Sequence, residues 1–253
     1  MKLQGHDDAD EPGHWTGSTR LLDLGDPRLR VRAIALTQFC QSDRERALAI
    51  YGFVKRRPFG RAFKMGPRGA REVLDARAAD GPDKATLMVA LLRLAGLPAR
   101  MRIMRMRGAI LRGLVSGFES VCWPVVEVWI DGRWIGTDNY IFDDAYAASA
   151  RCLLRAKGRQ WGYGIRVDCP ARWTALEHAQ APPPFAQDSM LLEDMGAFHD
   201  PEHCMASGGF QARYWRLGRY LRWNLLVPGI WGTTWWIRHG HAVLAGQHRT
   251  DRR

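Results

Sequence analysis

The chain has 253 residues and is 46% hydrophobic, enough to bury the core of one α/β domain of ordinary size plus a small appendage, and too little for two full domains. Its formal charge of +11 comes from arginine far more than lysine and suits acidic molecules or a membrane surface. No zinc-finger spacing or RNP-type aromatic strand occurs, so no specific nucleic-acid binding is expected. The five cysteines, Cys40, Cys122, Cys152, Cys169 and Cys204, are odd in number and far apart, which excludes a close-paired zinc site or a secreted disulfide framework and predicts reduced, mostly buried thiols.

Residues 1–20 are polar and broken by Gly and Pro, predicting a flexible leader. They contain no apolar run behind a basic start, so a cytoplasmic location is expected. Ser42 then caps a helix with apolar residues at Ala47, Ile50, Tyr51 and Val54, ending near Pro58. A Gly-containing loop and a short helical turn over 70–79 precede Asp80-Gly81-Pro82, where proline's missing N–H suits a first helical position. The helix that follows, ATLMVALLRLAGL, is apolar over most of its circumference and is therefore expected at the centre of the fold, closed by Gly96.

Three strands are predicted over 98–107, 123–131 and 133–141, the last two joined at Asp131-Gly132, a strong hairpin signal. The stretch 108–122 between the first two could cover a cleft. A helix over 144–157 and a Pro-rich linker at 182–184 complete this part. The tail from Gly209 holds five of the eleven tryptophans and arginines at 213, 216, 219 and 222, with Pro228 and Gly229 interrupting an apolar run too short to span a bilayer. Packing back onto the core is the plainer expectation for it; peripheral membrane contact through an amphipathic helix is the alternative.

The order of these elements, with LLRLAGLPAR closing the buried helix and EVWIDGRWIGTD on the strands, resembles the bacterial transglutaminase-like (papain-like) superfamily. Its pattern runs G-x-C-x-x-K-A, then L-R-x-x-G-I-P-A-R, then H-x-x-x-E-V-x-x-x-G-x-W and an Asp, and the resemblance covers roughly residues 42–145. It implies an α+β fold in which the buried helix packs on an antiparallel sheet, with a transglutaminase-like domain over 21–185 and a Trp- and Arg-rich C-terminal extension over 186–253. It also implies acyl-transfer or peptidase chemistry on amides. There, a cysteine at the helix N-terminus attacks, a strand histidine takes the proton and an acid orients the imidazole.

Anchored on Lys84, the family's cysteine falls on Gly81; anchored on Glu127, its histidine falls on Trp123; only the acid matches, at Asp138. No slip of register repairs this, because no cysteine lies between Cys40 and Cys122 and no histidine between His14 and His178. One reading is therefore a pseudoenzyme with a degenerate catalytic triad, a non-catalytic binding or accessory protein in which Trp123 fills or closes the old cleft. Another is an enzyme rebuilt on the carboxylates of Asp80, Asp83 and Asp138, with Lys84 and Tyr140 as auxiliaries. It would perform elimination, hydration or cyclisation on a small acidic or acyl substrate, as in biosynthesis. Capping is the plainer role for Asp80 and Asp83. Arg100, Arg102, Arg105 and Arg112 would line the cleft mouth, although ordinary surface is the simpler role for them.

A third reading moves thiol chemistry to Cys122, paired with His178 or His199. The run HDPEHC, with His199, His203 and Cys204, has the look of a metal site, but a structural role is the plainer one; neither a metal nor a cofactor is expected. His239 and His241 are expected to be solvated. The partners expected are a small acidic or acyl molecule or another protein.

Overall fold

The computed structural model describes residues 11–178, 190–208, 210 and 218–250, with side chains of the last helix described over 223–239. The predicted linker at 182–184 and the tail arginines 213 and 216 fall outside these, as do the side chains of 219, 222 and His241.

Helices α1 (Pro27–Thr37), α2 (Asp43–Arg56) and α3 (Ala70–Asp75) precede the long buried helix α4 (Gly81–Leu94). Asp26 caps α1 by accepting from the backbone N–H groups of Arg28 and Leu29. Ser42 caps α2 by accepting from that of Glu45, whose own carboxylate accepts from Gln41 N at 2.7 Å. Helix α4 is buried on nearly every side, as its all-round apolarity requires; α1, α2 and α3 pack against it together with β1 (Ala99–Arg107) and β2 (Ser120–Ile130).

β2 turns into β3 (Arg133–Thr137) through Asp131 and Gly132, both at positive φ (51° and 77°), the primed two-residue turn that this dipeptide favours. Beyond lie α5 (Asp144–Ala156), the short pair β4 (Trp161–Gly162) and β5 (Ile165–Arg166), then β6 (Leu191–Phe198), α6 (Pro201–Ala206) and α7 (Gly218–Thr250). The main sheet has the order β3-β2-β1-β6 with every pair antiparallel. The α+β class and the helix packed on an antiparallel sheet are thus as expected.

Several features depart from the sequence reading. Helix α1, part of the core through Leu29 and Ala33, has no strong apolar period and went unpredicted. Strand β6 lies in the segment assigned to the extension, yet it completes the sheet along the free edge of β1. The third predicted strand stops at Thr137. Only Cys204 of the five free thiols is buried. Helix α7 runs on through Pro228: Val227, Ile230, Thr234 and Ile237 face the protein, and that packing holds the helix where propensity would end it.

The described part of the leader is docked, against expectation. Trp15 is buried, Arg93 donates to Gly17 O and to Ala99 O, Thr19 donates to Asp200, and Arg20 pairs with Glu202 at 2.7 Å. The ring of His199 sits 4.7 Å from that of Trp15, and its Nε2 is 3.3 Å from that of His14. Partial burial, with Arg93 and the two neighbouring histidines adding to it, pushes the His199 pKa down to about 4. An unfolded histidine titrates near 6.5, so the clasp is complete above about pH 6.5 and loses stability as pH falls towards 4, where the unfolded chain binds the extra proton. Thermal melts over that window are expected to slope more steeply for the wild type than for His199→Phe, by a few degrees.

Candidate functional site

Helix α4 begins where the sheet and the loop between α2 and α3 meet. Asp80 caps it, accepting from Asp83 N at 3.2 Å, and Gly81 is its first residue. A Cβ built on Gly81 would lie 3.5 Å from both Pro124 and Ile141, ordinary contact, so a side chain fits but meets apolar neighbours. The two carboxylates do not stand free. Arg61 meets Asp80 at 2.7 Å, Lys64 lies 2.9 Å from Asp80 and 2.6 Å from Asp83, and Arg68 grips Asp83 at 2.6 and 2.8 Å. Burial opposes the charge on Asp80, but Lys64 and Arg61 more than offset it and hold that carboxyl well below the usual range.

On the sheet, the indole Nε1–H of Trp123 donates to Asp138 Oδ2 at 2.8 Å, with both residues buried. β2 places Trp123 and the turn after β3 places Asp138. Pro124 beside them is tolerated because pairing with β3 begins only at Val126, so its missing N–H leaves no ladder bond unmade on that side. The indole is a donor only and cannot take up a proton, and glycine offers no nucleophile. Trp123 therefore keeps the contact that the resemblance implies between base and acid, without the proton transfer.

Lys84 and Tyr140, expected as auxiliaries, are locked into the backbone. Lys84 Nζ donates to Tyr140 O at 3.1 Å and Tyr140 OH to Pro124 O at 2.9 Å. Burial drives the Lys84 pKa far down, and the Tyr140 phenol far up. Lys55, which the sequence gave no reason to single out, is buried too and reaches Asn139 O at 2.8 Å and Phe142 O at 3.3 Å. These two lysines tie down the turn that carries Asp138.

Strand register removes the thiol pairings. Cys122 is opposite Arg105 on β1, whereas His178 accepts from Gly136 N at 3.0 Å, opposite Glu127 on β2. His199 follows Phe198, which faces Met101. Both histidines thus sit four or five rows along the sheet from Cys122, about 14–17 Å at the rise of a strand. Arg100, Arg102 and Arg105 are not at a cleft mouth. Arg100 is buried against Glu127 at 2.7 Å, Arg102 pairs with Asp194, and Arg105 with Glu193 at 3.0 Å. Arg112 does not line the cleft either. His199, His203 and Cys204 form no metal site: among the described residues no group of three or more His, Cys, Asp or Glu could hold an ion. His239 is exposed, its ring stacked on Trp235.

A cleft of about 980 Å³ opens beside Gly81 and Trp123. Met101 and Ile103 of β1 line it, with Leu111, Leu114, Val115 and Phe118 from the stretch predicted to cover a cleft. Gly108 anchors that stretch, donating to Glu119 O at 2.8 Å where a Cβ would strike Phe118 O. Helix α7 supplies Trp223 and Ile230, the Trp223 ring stacking on Phe118 at 4.3 Å with the Arg61 guanidinium 4.8 Å away. Arg61, Lys64 and Asp80 are the charged groups near the start of α4 on this wall; Asp83, Lys84, Asp138 and Tyr140 do not reach it. The three carboxylates of the rebuilt-site reading are therefore not gathered on one cavity.

Two variants test these assignments. Trp123→Phe removes the one donor from a buried bond to a carboxylate and is expected to cost about 1–3 kcal/mol in urea denaturation. Lys64→Met leaves two buried carboxylates short of a cation and is expected to cost about 3–5 kcal/mol, with the melting temperature falling accordingly.

Residues 31–139 match the family model of the transglutaminase-like superfamily. Curated proteins give no match to the sequence. Among solved structures, a candidate cysteine protease from Cytophaga hutchinsonii is 18% identical with a TM-score of 0.41, over 51% of this chain and 41% of that one. A candidate protease from Parabacteroides distasonis is 16% identical with a TM-score of 0.34, over 49% of this chain and 24% of that one. This chain thus spans less than half the length of either. Over residues 31–139, less than half of its length, the chain is thus similar to the transglutaminase-like superfamily.

Proposed function

We propose that the protein is a non-catalytic member of this superfamily that binds an apolar, acyl-type ligand in the cleft beside Gly81 and Trp123. The observation that carries the reading is the 2.8 Å bond from Trp123 Nε1 to Asp138 Oδ2. It turns the acid that would orient an imidazole into the acceptor of a donor-only indole, while the start of α4 presents only glycine. The cleft itself is kept. At about 980 Å³ it lies at the upper end of ligand pockets, and aliphatic and aromatic side chains make up most of its wall. The charged side chains on the wall balance, Arg61 and Lys64 against Asp80 and Glu119. An acyl chain with a small polar head suits both features. A non-catalytic protein of this kind acts as an accessory to an enzyme or a carrier.

The rebuilt-enzyme reading keeps one supporting observation, Asp80 on the cleft wall. Its carboxylate is ion-paired and weakly basic, and Asp83 and Asp138, which would have to share its work, are engaged elsewhere.

Titration of the full-length protein with a fluorescent fatty acid such as cis-parinaric acid is expected to saturate at one site with a Kd of about 1–10 μM. Val115→Trp, which fills the cleft, should weaken it about tenfold. Incubation with p-nitrophenyl butyrate should give no turnover above the solution rate. Turnover that disappears in Asp80→Asn would establish the rebuilt enzyme instead, and absence of saturable binding would remove the acyl ligand.

A further inference from the structure

Helix α7 is apolar on its outer face as well as its inner one. Val227, Ile230, Thr234 and Ile237 point into the protein. On the other side, Leu225 is 82% exposed, Trp231 52%, Trp235 63% and Trp236 45%. At 100° per residue these four, with Pro228, Gly229 and Gly232, fall on one outward arc over three turns of helix. The loop between α2 and α3 extends the patch. Phe63, 60% exposed, packs edge-on to Trp231 with ring centroids 6.1 Å apart, and the Trp231 indole N–H donates to Arg61 O at 2.7 Å. Met65, 65% exposed, lies beside Asn224, whose side chain brackets Lys64 through both its N–H and its carbonyl.

A face of this kind, six large apolar side chains gathered together where an ordinary surface has them scattered singly, marks an interaction site. Its charge decides what covers it. The cations beside it with described side chains, Arg61, Lys64, Arg68, Arg71 and Arg238, are each ion-paired to a carboxylate, so the charge that acts is the formal net +11 of the whole chain. A second copy of this chain would carry the same +11 and be repelled. An anionic surface complements both the charge and the aromatics, since tryptophan, with an apolar body and one N–H, favours the level of lipid headgroups. Among the described residues no helix is long and apolar enough to cross a membrane, so the geometry required is a helix lying flat.

We propose that the outer face of α7, with Phe63 and Met65, docks on anionic lipid headgroups and sinks Trp231, Trp235 and Trp236 into the interface. The inner face of the same helix lines the cleft with Trp223 and Ile230, so docking would bring the cleft to the bilayer; the docking itself does not depend on what the cleft binds.

The full chain is mixed with sedimentable vesicles of phosphatidylcholine alone and of phosphatidylcholine with about 30% phosphatidylglycerol. The expected result is pelleting with the anionic vesicles, weakened by salt, and a blue shift of tryptophan emission. Trp235→Ser with Trp236→Ser should lower the partition coefficient about a hundredfold, and Phe63→Ser, on a separate element, several-fold. All three positions are solvent-exposed, and unchanged melting temperatures would show the variants folded. Failure of the wild type to pellet, equal pelleting of wild type and double variant, or equal binding to neutral vesicles would each overturn the proposal. So would a wild-type dimer in light scattering that the double variant converts to monomer, which would assign the face to a second copy.

Discussion

The N-terminus of α4 is buried, and that single constraint shapes the centre of the molecule. A helix end needs acceptors for its free N–H groups, and Asp80 supplies one. Asp83 one turn on favours the positive end of the dipole. Two carboxylates out of water are costly unless paired, so the loop carrying Arg61, Lys64 and Arg68 is drawn over them. That loop then forms a wall of the cleft, receives Trp231 and Asn224 of α7, and carries Phe63 and Met65 into the outer patch. Cap, cleft and C-terminal helix are thereby one mechanical unit.

A second set of buried cations does for the turn after β3 what the first does for α4. Lys55 and Lys84 donate to carbonyls of Asn139, Tyr140 and Phe142, which fixes the backbone of the turn while its side chains pack into the core. Asp138 arrives beside Trp123 through that turn, and Asp143 at its far end caps α5, accepts from Phe59 N at 2.8 Å and pairs with Arg238 of α7. Residues that look catalytic by type, Lys84, Tyr140 and Asp83, are instead the fastenings of a rigid scaffold. An ion-paired or backbone-bound group is a poor acid or base, since every partner that positions it also fixes its protonation state.

The position of Trp123 separates form from chemistry. An indole can reproduce a hydrogen bond that an imidazole donates, and it fills more volume, but it has no lone pair to accept a proton. The strand, the acid and the pocket beside them can therefore persist with no relay. The apolar surroundings of Gly81, Pro124 and Ile141 within van der Waals reach of a built Cβ, belong to the same pattern.

By itself the sequence determined the elements whose signals are local: the capped α2, the apolar α4, the Asp131-Gly132 hairpin, and the lack of cysteine and histidine from the central stretch. Periodicity, capping and turn preferences act within a few residues, and counts need no alignment. Tertiary structure decided what depends on partners distant in sequence. It spent Asp80 and Asp83 on Arg61, Lys64 and Arg68, and aimed Arg100 and Arg102 at carboxylates across the sheet instead of at a cleft. It added β6 to the edge of β1, and docked Trp15 on His199. Side-chain charge is written in the sequence, but whether a charge is free to act depends on which opposite charge the fold brings within about 3 Å of it.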